Sequence, residues 1–457
     1  MTTAPPATRR ARTGVIALAA AAAVTATAFT APAQAAPAPP SATDSVSGPP
    51  TGHQETRRAL EAVVAAGIPG VVAATRDDRH GTWRTTVGVG NRTTGAPRSP
   101  QDRFRIASIT KTFVATVLLQ MEAEGRLDLD DSVETHLPGL VHGNGNDGRK
   151  ISVRQLLNHT SGLFDYLADP AYAEKYLIGD GFLRHRHDTL APEFHVGVAL
   201  AHPPLFAPGA DASYSNTNYV LAALVIESVA GRDYEDEVRE RIIEPLRLRG
   251  TSQPRNGIHL PRPSSRAYST LFLPGPDAKI HDVTEMNGSQ GWGDGDIIST
   301  AGDLNRFFGA LMKGKLLPKK QLAAMKTTVW MPNAGAHYGL GITRADTSCG
   351  IRLWSHGGGI AGSLSGAYTT EDGRRQLAFN LNGDWADGGR NVAEAEFCGR
   401  AVKTESAKTG SIKTGPAKTG PVRNHMSTDH TFKNRTSQDH TSQDHTFKNH
   451  PSTGRTR

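Results

Sequence analysis

Ser108 and Lys111 stand three residues apart in the run Ser108-Ile109-Thr110-Lys111. On a helix that spacing puts both side chains on one face, a turn apart and within reach of each other. A serine hydroxyl is a poor nucleophile until a base takes its proton, and a nearby amine kept neutral by burial or by another cation can do so. The opening of a helix adds backbone N–H groups that face developing negative charge. The implied chemistry is attack by Ser108 on a carbonyl carbon, with an acyl-enzyme as product. The motif is short, however, and a serine N-cap followed by a solvated lysine has the same spelling.

Two further groups give it company. Tyr214-Ser215-Asn216 follows Pro208-Gly209 on a polar turn, ahead of a helix expected from near Tyr219 to Val229. A phenol at Tyr214 can shuttle a proton while the Asn216 amide holds a substrate carbonyl. His356-Gly357-Gly358-Gly359 follows the strand-like run Ile351 to Ser355 and precedes another at Gly366 to Thr370. Glycines let a backbone approach a ligand, so Gly357 and Gly358 are expected against the substrate. The N–H of Gly359 is expected to pair with that of Ser108 as an oxyanion hole, with His356 beside them. Each group alone has a plainer explanation: a loop-capping Asn beside a packed Tyr, and a glycine-rich hairpin with an exposed His.

The elements that must position these residues are legible in outline. Ile109, Phe113, Val114, Val117, Leu118 and Met121 recur at helical spacing until Gly125, so Ser108 opens a helix. Strand-like segments come early, at Val71 to Thr75 and Trp83 to Val89, and return at Tyr338 to Thr343, Ile351 to Ser355, Gly366 to Thr370 and Gln376 to Asn382. A helix-rich stretch lies between them. The fold class expected is α/β of the α+β type: an antiparallel sheet built from both ends of the domain and flanked by helices. A mostly helical second lobe is inserted at about 125–290, and the site lies in the cleft between the two.

In chain order, Ser108-x-x-Lys111, Tyr214-x-Asn216 and His356-Gly357-Gly358 resemble the three motifs of the serine D,D-peptidase and class C β-lactamase superfamily. The stretches Phe104-Arg105-Ile106-Ala107 and Ile151 to Leu163 (ISVRQLLNHTSGL) are also similar to segments typical of it. The likeness runs from about Ala59 to Cys398 and is strongest toward the soluble, exported D-alanyl-D-alanine carboxypeptidases. It implies a β-lactamase/transpeptidase-like fold. Ser108, Lys111, Tyr214 and His356 become the catalytic set, and Asn216, Gly357, Gly358 and Gly359 the substrate-binding set. No metal and no cofactor are implied. The expected substrate is a peptidoglycan stem peptide or another small acyl compound, with β-lactams as inhibitors. An esterase or β-lactamase using the same serine is the alternative. An inert cell-wall binding protein is a third reading, against which the complete Ser, Lys, Tyr and Asn set argues.

Two departures bear on substrate. Gly357 stands where those carboxypeptidases carry a threonine, so a hydroxyl that helps to bind a terminal carboxylate is missing. The arginine that assists it aligns with Thr343, and Arg344, one place along, points to the other face by strand alternation. Lys-Thr-Gly, the third-motif triplet of many relatives, recurs in the tail at Lys408, Lys413 and Lys418. The tail has no apolar alternation to build a strand, so these copies are not expected to serve.

The ends carry other information. Arg9, Arg10 and Arg12 precede an apolar Ala/Val stretch from Gly14 to Phe29 and the small-x-small run Ala33-Gln34-Ala35, which reads as a secretory signal peptide over 1–35. A Pro/Ser/Thr/Ala linker is expected at 36–55, the hydrolase domain at 56–400 and a disordered, basic, repetitive tail at 401–457. The tail holds 10 Lys/Arg against 4 Asp/Glu and the leader 3 Arg. That leaves 38 basic and 40 acidic residues between positions 36 and 400. The sequence pI near 9.4 therefore does not describe the domain, and nucleic acid is not the expected partner. An anionic cell wall fits the tail better, and the spacing of His425, His430, His440, His445 and His450 follows from the repeat. The expected location is secreted, with cell-wall association through the tail, and a monomer is the default. Cys349 and Cys398 are the two cysteines; in an exported chain that even count reads as a disulfide, and neither sits in a thiol-nucleophile motif.

Overall fold

The computed structural model describes residues 52–273, 278–386 and 388–399, all within the first of the chain's two units, which divide at Thr404. The expectations for the signal peptide, most of the linker and the tail fall outside the described residues.

Eight strands form the main sheet: β1 (Gly70–Asp77), β2 (Gly81–Gly88), β3 (Val329–Met331), β4 (Ala336–Tyr338), β5 (Thr343–Asp346), β6 (Arg352–Ile360), β7 (Ser363–Thr370) and β8 (Arg375–Leu381). Their order is β2-β1-β8-β7-β6-β5-β4-β3, and every neighbouring pair is antiparallel. The two ends of the domain meet where β1 pairs with β8, from Val71 opposite Leu381 to Asp77 opposite Arg375. β1 is apolar without alternation because both of its faces are covered. Val71 and Ala73 join one apolar cluster, Val72 and Ala74 the other.

The longer helices are α1 (Gln54–Ala65), α2 (Thr110–Ala123), α3 (Thr217–Ala230), α4 (Ala301–Met312) and α5 (Gly389–Cys398). α1 is amphipathic, burying Thr56, Ala59, Leu60 and Val63, and with α5 it covers one sheet face together with Leu353, Leu377 and Phe379. α4 packs on the other face, against β1, β7 and β8. α2 and α3 are apolar nearly all round because they run through the interior. In the inserted lobe the short helices Val153–Leu157 and Pro192–Leu200 pack on α3, while Pro170–Tyr176 and Gly179–His185 pack on each other.

Three local expectations change. Tyr338 to Thr343 is not a strand but a tight hairpin. Gly339 N–H donates to Ile342 O at 2.7 Å and Gly341 has φ 72°, so the apolar run there belongs to a buried turn. The strand expected to stop at Ser355 continues through the glycines to Ile360. The domain also starts earlier: Gln54 and Glu55, expected in the linker, form the first turn of α1. His53 anchors that end, stacking on Trp83 with ring centres 4.6 Å apart and meeting Glu396 at 2.9 Å. The expected disulfide is present, joining Cys349, in the turn between β5 and β6, to Cys398 at the end of α5.

Candidate active site

Ser108 sits in a tight 3-10 turn, Ala107–Ile109, that feeds the first α-helical residue, Thr110. Ala107 takes φ 47° just before it, a conformation that costs a non-glycine residue about 1 kcal/mol or more and fixes the serine at the mouth of the helix. Serine-to-lysine contact survives the change of helix type: Lys111 Nζ lies 3.1 Å from Ser108 Oγ. Lys111 is fully buried. A buried ammonium without partners costs several kcal/mol. Here Nζ also lies 2.7 Å from Asn216 Oδ1 and 2.8 Å from the Asp294 carbonyl oxygen. The same helix buries Phe113, Val114, Val117, Leu118, Leu119 and Met121 completely, at about 1.5–3 kcal/mol each, which outweighs the lysine.

Tyr214 and Asn216 reach the lysine from the loop ahead of α3. The Tyr214 hydroxyl interacts with both the Ser108 and Lys111 side chains. Burial pushes its pKa up, and Lys111 and Ser108 oppose that rise. Both ends of the Asn216 amide are engaged within the protein, Oδ1 by Lys111 and Nδ2 by Asp165 at 2.9 Å. It therefore fixes the amine as well as lining the cleft.

The loop is held by His159, which the sequence presented only inside a longer stretch. Ser152 and Gln155 form a capping box that starts the helix Val153–Leu157, and the chain then turns through His159 at φ 61°. Its Nδ1 accepts from the Ser215 N–H and the Asn218 amide, each at 3.2 Å, and its ring lies 4.3 Å from that of Tyr214. Burial, with Lys111 and His356 nearby, holds its pKa well below the usual histidine value.

β6 supplies the opposite wall. A Cβ on Gly358 would lie 2.0 Å from Ile106 O and 3.1 Å from Ser108 N, so only glycine lets this strand press against the nucleophile's own backbone. Gly357 has open space where a side chain would stand, with Ser365 O the nearest atom at 3.8 Å. His356 is buried. Its Nδ1 lies 2.6 Å from Gly357 O and its Nε2 2.9 Å from the Tyr338 hydroxyl, and burial brings its pKa down to about 3. Thr343 stands opposite Ser355, with its hydroxyl 2.7 Å from Ser355 O. Arg344 stands opposite Trp354 and turns to Asp346 at 3.3 Å. Arg344 is thus on the other face from Gly357, as alternation requires.

Ser108, Tyr214, Asn216 and Gly359 line one cavity of about 360 Å3 with Tyr166, Tyr172, Tyr176, Phe182, Phe272 and Met286. Asp294 also lines it, and Asp165 adjoins it through Asn216. Burial raises both carboxyls, Asp165 to about 6, while Asn216 and Lys111 among their neighbours oppose the shift. Neither acid was legible in the sequence, although Asp294 lies in the glycine-rich run Gly291-Trp292-Gly293-Asp294-Gly295-Asp296. Among the described residues, no group of three or more His, Cys, Asp or Glu side chains is placed to hold a metal ion.

The family model described as Beta-lactamase matches residues 56–393. The chain belongs to the beta-lactamase family. This serine hydrolase family member superposes on a D-stereospecific amidohydrolase from Streptomyces sp. with a TM-score of 0.72 and 52% identity, over 76% of this chain and 99% of that one. It also superposes on a D-amino acid amidase from Ochrobactrum anthropi SV3, solved with L-phenylalanine amide, with a TM-score of 0.64 and 27% identity, over 75% and 95% of the two chains. Penicillin-binding protein 4 of Amycolatopsis lactamdurans is 29% identical over 48% of this chain and 53% of its own length. Another penicillin-binding protein, from Bacillus subtilis (strain 168), is 28% identical, with 65% of its length matched. The chain thus spans less than two thirds of these curated relatives. The superfamily implied by the three motifs is the one matched.

Proposed function

We propose that this beta-lactamase-family hydrolase is an exported D-stereospecific amidohydrolase. It cleaves an amide or ester at the carbonyl of a D-amino acyl group with a large apolar side chain, through an acyl-enzyme on Ser108. The observation that carries this reading is the cleft. A nucleophile with its lysine and tyrosine opens onto an aromatic cavity that contains Tyr166, Tyr172, Tyr176 and Phe182, and the wall facing it has Gly357 and Thr343 where a terminal carboxylate would need a hydroxyl and an arginine. D-stereospecificity is taken from the names of the Streptomyces and Ochrobactrum anthropi proteins.

In the mechanism proposed, neutral Lys111 donates its two N–H bonds to the Asn216 and Asp294 carbonyl oxygens. Its lone pair then faces the Ser108 hydroxyl. Ser108 Oγ attacks the carbonyl carbon as its proton passes to Lys111, and the N–H groups of Ser108 and Gly359 hold the oxyanion. Tyr214 relays the proton to the departing amine or alcohol. Water then adds to the acyl-enzyme with the same groups as base, freeing the D-amino acid and Ser108. His356, neutral and bonded on both nitrogens, shapes the wall and does not carry the proton. β-lactams acylate the same serine as inhibitors in this reading.

A second reading, D-alanyl-D-alanine carboxypeptidase action on wall peptides, is favoured by the names of the penicillin-binding relatives and disfavoured by Gly357 and Thr343. Hydrolysis of D-phenylalanine p-nitroanilide and its L enantiomer, beside release of D-alanine from diacetyl-L-Lys-D-Ala-D-Ala, separates the two. We expect D-selective cleavage of the anilide that is lost in Ser108→Ala. D-alanine release with an inert anilide would replace the first reading with the second.

A further inference from the structure

Beside its tyrosines the cleft gathers one amine, two carboxyls and two imidazoles. Lys111 faces two carboxyls, Asp165 and Asp294, and both affect or are affected by it electrostatically. His159 and His356 add nothing, since burial keeps both neutral. Asp165 is satisfied by neutral donors: the Leu167 N–H at 3.2 Å and the Asn216 amide at 2.9 Å. Asp294 differs. The Tyr166 hydroxyl donates to its Oδ2 at 2.7 Å, and no described residue donates to Oδ1. That oxygen lies 3.7 Å from where a Cβ on Gly291 would be, and Gly291, Tyr166 and Asp294 all line the cavity. Asp294 is only 5% exposed, so a half-satisfied carboxylate is held at the cavity wall. A buried carboxylate without a cation is unfavourable, and a ligand that brings one relieves it.

Its place relative to the nucleophile says which cation fits. The Asp294 backbone carbonyl accepts from Lys111 Nζ, the same amine that contacts Ser108 Oγ. A group received here belongs to the atoms next to the reacting carbonyl. We propose that Asp294, with Tyr166, receives the protonated α-amine of the acyl residue, so that the enzyme acts on unblocked amino acid amides, esters and N-terminal residues. This rests on the acyl-enzyme reading of Ser108. An N-acylated substrate would set a neutral, bulkier group against the carboxyl and forgo the pairing, whereas a free ammonium donates to the Asp294 oxygen to which no described residue donates.

Steady-state kinetics on three methyl esters test this: D-phenylalanine, N-acetyl-D-phenylalanine and 3-phenylpropanoate, the last lacking the amine altogether. Wild type is expected to favour the free amine over the N-acetyl ester by about 100-fold in kcat/KM, the scale of a lost charge-assisted hydrogen bond. Asp294→Asn keeps the backbone carbonyl that holds Lys111. It is expected to cut the ratio of kcat/KM for the free amine over that for 3-phenylpropanoate by about 30-fold, mostly through KM for the free amine. Tyr166→Phe should show a weaker form of the same pattern. Competitive inhibition of wild-type 3-phenylpropanoate cleavage by 2-phenylethylamine needs no variant and is expected as well. Equal use of the free and N-acetyl esters, or an equal loss on all three esters in Asp294→Asn, would overturn the assignment while leaving Ser108 as the nucleophile. Wild-type cleavage of none of the three would overturn the acyl-enzyme reading and this assignment with it.

Discussion

The Tyr338 hydroxyl lies 2.9 Å from Nε2 of His356. Because the Gly357 carbonyl at Nδ1 can only accept, the network requires Nδ1 to carry the proton and Nε2 to accept from Tyr338. The imidazole is thus neutral and fixed in one tautomer. Tyr338→Phe leaves a buried acceptor without a donor and is expected to cost about 1–3 kcal/mol, read from the urea midpoint. The sign of the pH effect follows from the depressed folded pKa, about 3. Between that value and the ordinary 6.5 the unfolded chain binds the extra proton. The contribution of neutral His356 is therefore present above pH 6.5 and lost as pH falls toward 3. His356→Asn should flatten the acid side of the stability profile by up to about 1.4 kcal/mol per pH unit. An unchanged slope would show that the folded chain does not hold His356 neutral through that range.

Two adjacent glycines are expected to respond in opposite ways. Gly358→Ala drives a Cβ into Ile106 O, displacing β6 from Ser108, and should lower kcat/KM on the order of 100-fold, the effect of a misplacement near 1 Å. Gly357→Thr meets open space, so it should fold with stability within about 1 kcal/mol of wild type. It also returns a hydroxyl to the carboxylate-binding position. D-alanine release from diacetyl-L-Lys-D-Ala-D-Ala is expected to rise severalfold in this variant; no gain would mean that the missing arginine at Thr343 is the larger defect.

Asp296 is buried, takes a hydrogen bond from the Tyr234 hydroxyl, and has its pKa pushed well above the usual carboxylate range by burial. A raised folded pKa gives stability that is fully present below the unfolded value near 3.8 and is lost as pH rises through the folded one. Asp296→Asn removes that titration. Its melting temperature relative to wild type is expected to increase steadily from pH 4 to pH 8, and a constant difference would show that the carboxyl is ionised throughout.

The disulfide lies on the sheet face away from the cleft, between the β5–β6 turn and α5. Cys349→Ser with Cys398→Ser opens a link across a sequence separation of 49, worth roughly 4 kcal/mol on the chain-entropy model. Denaturation should show that loss, with turnover per folded molecule within about twofold of wild type.

Local patterning determined much of this protein. The spacing of Ser108 and Lys111 survives whether the turn is 3-10 or α, because either brings residues three apart onto one side. The apolar period of α2 and the strands at both ends are likewise properties of short segments. Alternation alone placed Thr343 and Arg344 on opposite faces, because the period of a strand is two. The tertiary structure decided what such rules do not contain. Tyr338 reaches His356 because a hairpin replaced the expected strand. His159 matters because its ring meets a loop 56 residues away in sequence, at Ser215. The open oxygen of Asp294 exists because α3, the inserted lobe and the nucleophile turn close around one carboxylate. Burial and partnership are made by segments distant in the chain, and no local pattern encodes the cost of leaving a charge half satisfied.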